Sequence, residues 1–121
     1  MAPPRHTPDG ESPIAEEVLA ELASDYGADA LGGLIETYLA EAPEQLGELR
    51  AAIGRGDGKT AERTAHTLKS TSAIFGAQGL ATTLGEVEGK AREGVLEDTA
   101  ALLARAEALF EAVRARLARG L

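Results

Sequence analysis

His66 is the residue of this chain whose type and surroundings best suit covalent chemistry. On a helix, Glu62, Arg63, Lys69 and Ser70 would lie one turn before or after it and share its face. A neutral imidazole is a competent nucleophile near neutral pH, because its unperturbed pKa is about 6.5. The two neighbouring cations could neutralise an incoming phosphoryl group. Spacing alone leaves a second interpretation open, in which His66 is an ordinary surface residue of a helix.

Composition excludes several other classes of function. Acidic residues outnumber basic ones by 20 to 12, and this net charge of −8 argues against nucleic acids and anionic membranes as partners. The absence of cysteine excludes disulfides, thiol catalysis and cysteine-based metal sites. The two histidines are too few for a multi-histidine centre, so we expect no bound metal or cofactor. The glycine-rich run 54–60 lacks the spacing of a phosphate-binding loop.

The N-terminal residues and the overall composition predict how the chain is organised. Residues 1–11 are rich in proline and polar residues, which predicts a disordered tail ahead of a folded domain at 12–121. No segment resembles a signal peptide or a membrane span, and the default location is the cytoplasm. Nine arginines against three lysines, with abundant alanine and glycine, indicate a bacterial source. The starting Met and short tail favour a free-standing protein, and we expect a monomer, because no second apolar face is sustained along the chain.

Apolar residues recur at helical spacing over the rest of the chain, and no segment alternates as a strand would. The predicted helices cover 13–24, 31–53, 58–75, 78–93 and 96–119. They predict an all-α fold, an antiparallel up-and-down four-helix bundle with a short N-terminal capping helix. The seam of the third helix consists of Ala61, Ala65, Leu68, Ser72 and Phe75. His66 falls beside this seam, on the outer face of the helix.

Local signals predict where these helices begin and bend. Ser12 precedes a proline and is the expected N-cap of the first helix, and Asp29 is the expected cap of the second. Pro43 is expected to kink the second helix without ending it, because the apolar stripe stays in phase across it. Glu97 and Asp98 are expected in the first turn of the last helix, where they suit the helix dipole.

A resemblance to a known family runs along the third helix. The sequence there reads His66-Thr-Leu-Lys69-Ser70-Thr71-Ser72-Ala-Ile-Phe-Gly76-Ala77. It resembles the signature of histidine-containing phosphotransfer (HPt) domains, which is close to H-x-L-K-G-[SA]-[SA]-x-x-x-G-A. The stretches Tyr38–Leu46 and Leu80–Gly94 are also similar to the family, so the resemblance covers roughly 29–119.

The resemblance implies a mechanism. HPt domains accept a phosphoryl group from an aspartyl phosphate on a receiver domain and pass it to another receiver. His66 would then be the phosphoacceptor, through Nε2, and Lys69 would offset phosphoryl charge. The implied partners are response-regulator receiver domains, which supply Mg²⁺, with a hybrid histidine kinase as a further candidate. The resemblance also implies that the chain acts as a phosphoryl carrier rather than as an autonomous enzyme, with no nucleotide site and no kinase activity of its own.

The resemblance also implies a docking surface around the histidine. In this family a receiver docks with an apolar patch, for which Ala73 and Ile74 are candidates. Arg63 and Glu62 are expected to support the site, and Glu62 either orients His66 or simply solvates the surface. A metal site at Glu62 and His66 is disfavoured, because no second bundle histidine completes it.

Ser70 departs from the family, which usually has glycine one turn after the histidine. Two opposite consequences are open. The side chain could crowd the partner and slow transfer, or its hydroxyl could donate a hydrogen bond to phosphoryl oxygens. Because serine is small, we favour a tolerated variant. The alternative function is a non-catalytic docking module of the same fold that binds or sequesters a receiver or kinase.

Overall fold

Five α-helices make up most of residues 12–120, the part of the chain that the structure, a computed structural model, describes. They are α1 (Glu16–Tyr26), α2 (Ala28–Gly54), α3 (Gly58–Ile74), α4 (Gln78–Arg92) and α5 (Ala100–Ala118). No strand occurs in this range, and the all-α prediction is confirmed. None of the described helices combines the length and the apolarity needed to cross a membrane. The predicted disordered tail, 1–11, lies outside the described residues.

The four long helices form an up-and-down bundle around one core. α2 packs against α3, α3 against α4, α4 against α5, and α5 returns to α2, while α1 lies against α2. The turns at 55–57 and 75–77 are short, so consecutive helices run antiparallel. All five residues predicted for the α3 seam are buried, which leaves the opposite face of this helix free for other contacts.

An aromatic cluster at the centre of the core fixes α3 against α2 and α5. The Tyr38 ring lies 4.9 Å from the Phe75 ring and 5.9 Å from the Phe110 ring, measured between centroids. The Tyr38 hydroxyl is hydrogen-bonded to the Ser72 hydroxyl at 2.8 Å, so neither buried polar group is left unsatisfied. This packing holds the helix that carries His66 in one orientation.

The first helix begins later than predicted. Its N-cap is Ala15, which makes no side-chain capping bond, and the Ser12 hydroxyl instead donates to the Glu16 carboxylate at 2.6 Å. The Ala15 N–H donates to the Gly76 carbonyl at 2.9 Å, and the Ile14 side chain is buried. The prediction that Ser12 caps this helix is therefore wrong, because contacts with the distant end of α3 hold the preceding segment outside the helix.

Gly76 permits this contact between α1 and the end of α3. Its φ is +76°, a left-handed conformation that favours glycine. A Cβ at this position would lie 3.0 Å from the Val18 Cβ and 3.1 Å from the Ala15 Cβ. The glycine thus serves both the turn after α3 and the close approach of α1.

The second helix begins three residues earlier than predicted, the third matches its prediction to within one residue, and the caps of both can be assigned. A single helix runs through Pro43, as predicted. It is preceded by Gly27 as N-cap, and Asp29 lies within the first turn without capping it, so that prediction is wrong. Asp57 caps α3, since its carboxylate accepts a hydrogen bond from the Thr60 N–H at 3.1 Å.

The last helix is shorter than predicted at its N-terminal end. It begins at Ala100, so Glu97 and Asp98 precede it and the prediction for its first turn is wrong. The Thr99 hydroxyl donates to the Leu96 carbonyl, and Thr99 is fully buried. These contacts form a turn that the helical periodicity of the segment does not reveal.

A histidine site between α3 and α4

His66 lies on the outer face of α3 with its side chain 59% exposed. The ring is oriented by one hydrogen bond, between Nδ1 and the Glu88 carboxylate at 2.9 Å. An ionised carboxylate can only accept hydrogen bonds, so Nδ1 carries the proton of the neutral ring. Nε2 therefore keeps its lone pair, and the arrangement makes this nitrogen the nucleophile of the ring.

Glu88 is a carboxylate at a nearly buried position, with its side chain only 7% exposed. Besides His66, it accepts from the Lys69 ammonium at 2.7 Å and from the Arg92 guanidinium at 2.9 Å. Burial raises the pKa of Glu88, but the hydrogen bonds from Lys69 and His66 outweigh it and hold the pKa below its usual value. The carboxylate is consequently ionised near neutral pH and keeps the Nδ1 proton in place.

The sequence of α4 explains how Glu88 reaches this position. The buried face of this helix includes Leu80, Leu84, Val87 and Ala91, and Glu88 falls on the edge of that face, one turn after Leu84. α3 and α4 pack closely along their length, which brings the carboxylate beneath the imidazole. A rigid pair of helices thus sets the orientation of the ring.

Arg92 joins the two helices through a second carboxylate. Its Nε donates to Glu62 on α3 at 2.8 Å, while its other nitrogen contacts Glu88. Glu62 thus belongs to the cluster by binding Arg92, and the carboxylate that orients the histidine is Glu88. The sequence left two roles open for Glu62, orientation of the His66 ring or solvation of the surface. In the structure, Glu88 orients the ring and Glu62 binds Arg92 instead.

The other predicted site residues lie around this cluster. Lys69 is within it, whereas Arg63, Ser70 and Ala73 are exposed along the same outer face of α3. The prediction from sequence assigned no role to Glu88 or Arg92. A signal for Glu88 was present, because a carboxylate at the edge of an apolar helical stripe needs cationic partners.

A cavity lies between α2 and α3, the helix that carries His66. It has a volume of about 180 Å³ and is lined mostly by apolar side chains, including those of Leu34, Tyr38, Ile74 and Phe75. Leu34 and Ile74 are 45% and 53% exposed, although both are large and apolar. Ile74 was expected in an apolar patch near the histidine, and it borders this cavity together with α2.

Comparison with known proteins agrees with this geometry. The family model of the Hpt domain matches residues 33–116. The phosphorelay protein LuxU of Vibrio vulnificus is 30% identical over 105 residues, which cover 86% of this chain and 91% of that protein. The crystal structure of histidine-containing phosphotransfer protein B (HptB) from Pseudomonas aeruginosa matches with a TM-score of 0.84 and 33% identity, over 88% of this chain and 91% of that one.

These relatives are bacterial, in agreement with the source that the composition indicates. The family match covers most of the described helices and includes the oriented histidine and its partners on α4. The chain therefore belongs to the Hpt domain family and is a histidine phosphotransfer protein of a phosphorelay.

Proposed function

We propose that His66 is the residue that carries the phosphoryl group, through Nε2. In this reaction the Nε2 lone pair attacks the phosphorus of a receiver aspartyl phosphate, and the bond from phosphorus to the aspartate oxygen breaks. The aspartate leaves as a carboxylate, and the Nδ1 proton stays on the ring in its hydrogen bond to Glu88. Transfer to a second receiver reverses these steps. The observation that carries the proposal is the Nδ1–Glu88 hydrogen bond beneath an exposed ring.

Glu88 supports both directions of transfer. The ring becomes a cation when phosphorus bonds to Nε2, and a carboxylate at 2.9 Å from Nδ1 stabilises that charge. The same contact prevents the ring from turning, so Nε2 meets each partner in one orientation. Phosphoryl transfer depends mainly on positioning and charge neutralisation, which this pair provides.

Lys69 would neutralise the charge of the phosphoryl group. Its ammonium binds Glu88 at 2.7 Å, and its side chain is 35% exposed. A lysine side chain is flexible, so the ammonium can approach the new anion while Arg92 continues to compensate Glu88. The site can therefore accept negative charge without leaving its buried carboxylate unpaired.

The partner completes the chemistry. Receiver domains of response regulators would supply the aspartyl phosphate and Mg²⁺, and this chain would supply the oriented imidazole and the cation. The chain would act as a phosphoryl carrier without a cofactor of its own, as a monomer in the cytoplasm. A hybrid histidine kinase is a candidate upstream partner. Arg63, Ser70 and Ala73 line the face that a receiver would cover.

A transfer assay tests the acceptor. The full chain is incubated with phosphorylated receiver domains and Mg²⁺, and the adduct is located by mass spectrometry. We expect an acid-labile, base-stable phosphoryl group at His66 that is lost in His66→Gln. The matched control is His6→Gln, which removes the other histidine of the chain and should leave the adduct unchanged.

The same assay distinguishes the alternative function. A receiver that binds the chain tightly and transfers nothing to it would contradict the acceptor role and indicate a docking module. Partner binding that survives in His66→Gln would agree with either function, so the adduct itself decides between them.

A further inference from the structure

The apolar cavity between α2 and α3 borders the helix that carries His66. Thr71 lines it, and Ile74 lies eight residues after His66 on the same helix, which is about 12 Å along the axis. A receiver domain that brings an aspartyl phosphate to Nε2 would cover this distance. If His66 accepts phosphoryl groups as proposed above, the cavity forms part of the surface that the receiver buries.

Charge is distributed unevenly across this surface. α1 and α2 together carry nine acidic residues and one basic residue, whereas α3 carries three basic residues and one acidic residue. The cavity lies on the boundary between the two. A receiver has an acidic phosphorylation site, and this negative charge complements the basic residues of α3. The part of the receiver that lies over α2 instead faces acidic residues.

Glu41 is the acidic residue that lines the cavity. It is exposed, and it makes no ion pair with any of residues 12–120 within 4.0 Å. Glu48, on the same side of α2, differs in that its carboxylate accepts a hydrogen bond from the Thr64 hydroxyl at 2.7 Å. Among the described residues, the Glu41 carboxylate is thus an uncompensated charge beside an apolar surface.

We propose that Glu41 selects the receiver partner. The partner would place an aliphatic side chain of its docking surface between Leu34 and Ile74, and a lysine or arginine against the Glu41 carboxylate. Apolar contact supplies affinity but discriminates poorly between similar receivers. A charge at the edge of the contact favours a partner with the complementary charge and repels one with the same charge.

Charge reversal tests the proposal, with a matched control on the same helix. Glu41→Lys and Glu36→Lys alter the net charge of the chain equally, and both positions are exposed on α2. Glu36 lines a different cavity, between α2 and α5. The dissociation constant of each full-length variant is measured with the unphosphorylated receiver that binds the wild type most tightly, and the transfer rate is measured at saturating phosphorylated receiver.

We expect Glu41→Lys to raise the dissociation constant by about tenfold or more and Glu36→Lys to change it by less than about twofold. The transfer rate at saturation should be unchanged in both variants. Glu41→Gln should also reduce the dependence of binding on salt concentration. A lysine-to-glutamate change on the receiver that restores binding to Glu41→Lys would identify the complementary residue.

Two results would overturn the role of Glu41. One is an equal loss of binding in Glu41→Lys and Glu36→Lys, which would reflect net charge alone. The other is a change in the oligomeric state of the chain in Glu41→Lys, which would assign the cavity to a second copy. A wild-type chain that binds the receiver through Glu41 but receives no phosphoryl group would instead contradict the acceptor role of His66, so the two proposals fail separately.

Discussion

Two charged side chains are nearly buried at the edges of this bundle, and they are compensated in different ways. The Glu88 carboxylate is shared by three donors, His66, Lys69 and Arg92, which are 35–59% exposed. The Arg116 guanidinium is 10% exposed and, among residues 12–120, is bound by one carboxylate, that of Glu16, with distances of 2.6 and 2.7 Å.

The difference fits the proposed phosphotransfer role of the Glu88 cluster and a structural role of the Arg116 contact. A buried charge that loses its partner destabilises a protein strongly, because the charge is then neither solvated nor paired. Under the proposed function, Glu88 would release one donor to a phosphoryl group and keep the others. Arg116 has a single charged partner among residues 12–120, supplemented by the Gly120 carbonyl at 2.8 Å, so loss of Glu16 would leave its charge without a counter-ion there.

Among the residues that surround His66, removal of the shared carboxylate should have the largest effect on transfer. In Glu88→Ala the ring loses a hydrogen bond to a charged group, and we expect the transfer rate to fall by roughly thirtyfold, equivalent to about 2 kcal/mol. The measurement is the single-turnover rate of phosphoryl transfer from a saturating receiver.

The matched control for this change is Glu62→Gln, which removes a carboxylate of the same cluster that does not bind the ring. It should retain most of the rate. An equal loss in both variants would mean that the charge of the cluster matters rather than the orientation of His66.

Removal of the single partner of Arg116 should have the largest effect on stability. We expect Glu16→Gln to lower the free energy of unfolding by about 1–2 kcal/mol, a value between those of exposed and buried ion pairs because Glu16 is about half exposed. Urea titration measures it, and the transfer rate should not change. The double variant Glu16→Gln/Arg116→Met should recover part of the loss, since it leaves no unpaired charge.

Acid should weaken the same contact in a defined range of pH. The hydrogen bond from Arg116 lowers the pKa of Glu16 to about 2, from an ordinary value of 4.5. A lowered pKa stabilises the fold fully above pH 4.5, and this contribution is lost as the pH falls towards 2. Stability measured across this range should therefore decline less in Glu16→Gln than in the wild type, and parallel curves would contradict the assignment.

Removal of one of several donors should be tolerated. In Lys69→Ala, Glu88 keeps Arg92 and His66, and we expect a loss of stability of less than about 1 kcal/mol. Transfer should nevertheless slow, because the phosphoryl charge is less well neutralised. A loss of stability as large as that of Glu16→Gln would show that the sharing of Glu88 among three donors does not protect the fold.

The smallest effect is expected at Ser70, which lies outside both charged clusters. Ser70→Gly and Ser70→Ala should each change the transfer rate by less than about twofold, as is usual for an exposed side chain. Faster transfer in the glycine variant alone would indicate that serine crowds the receiver. Slower transfer in both variants would indicate a hydrogen bond from the hydroxyl to the phosphoryl group.

The helices and the position of the histidine could be predicted from the sequence. The apolar stripe that includes Leu68 and Phe75 repeats at helical spacing, so it specifies the buried face of α3 and places His66 outside it. These are local properties, determined by residues within two turns of one another. The signature around His66 and Lys69 is local in the same way, so the sequence by itself indicates the family.

The tertiary structure decided which residues serve the histidine and where some helices begin. Glu88 lies 22 residues after His66, and Arg116 lies 100 residues after Glu16, so no local pattern connects either pair. The N-terminus of α1 shifted for the same reason, because the Ala15 N–H binds the Gly76 carbonyl across the fold. Periodicity specifies which face of a helix is buried, whereas the partner of a charged group depends on how the helices pack, and that is determined by the whole core at once.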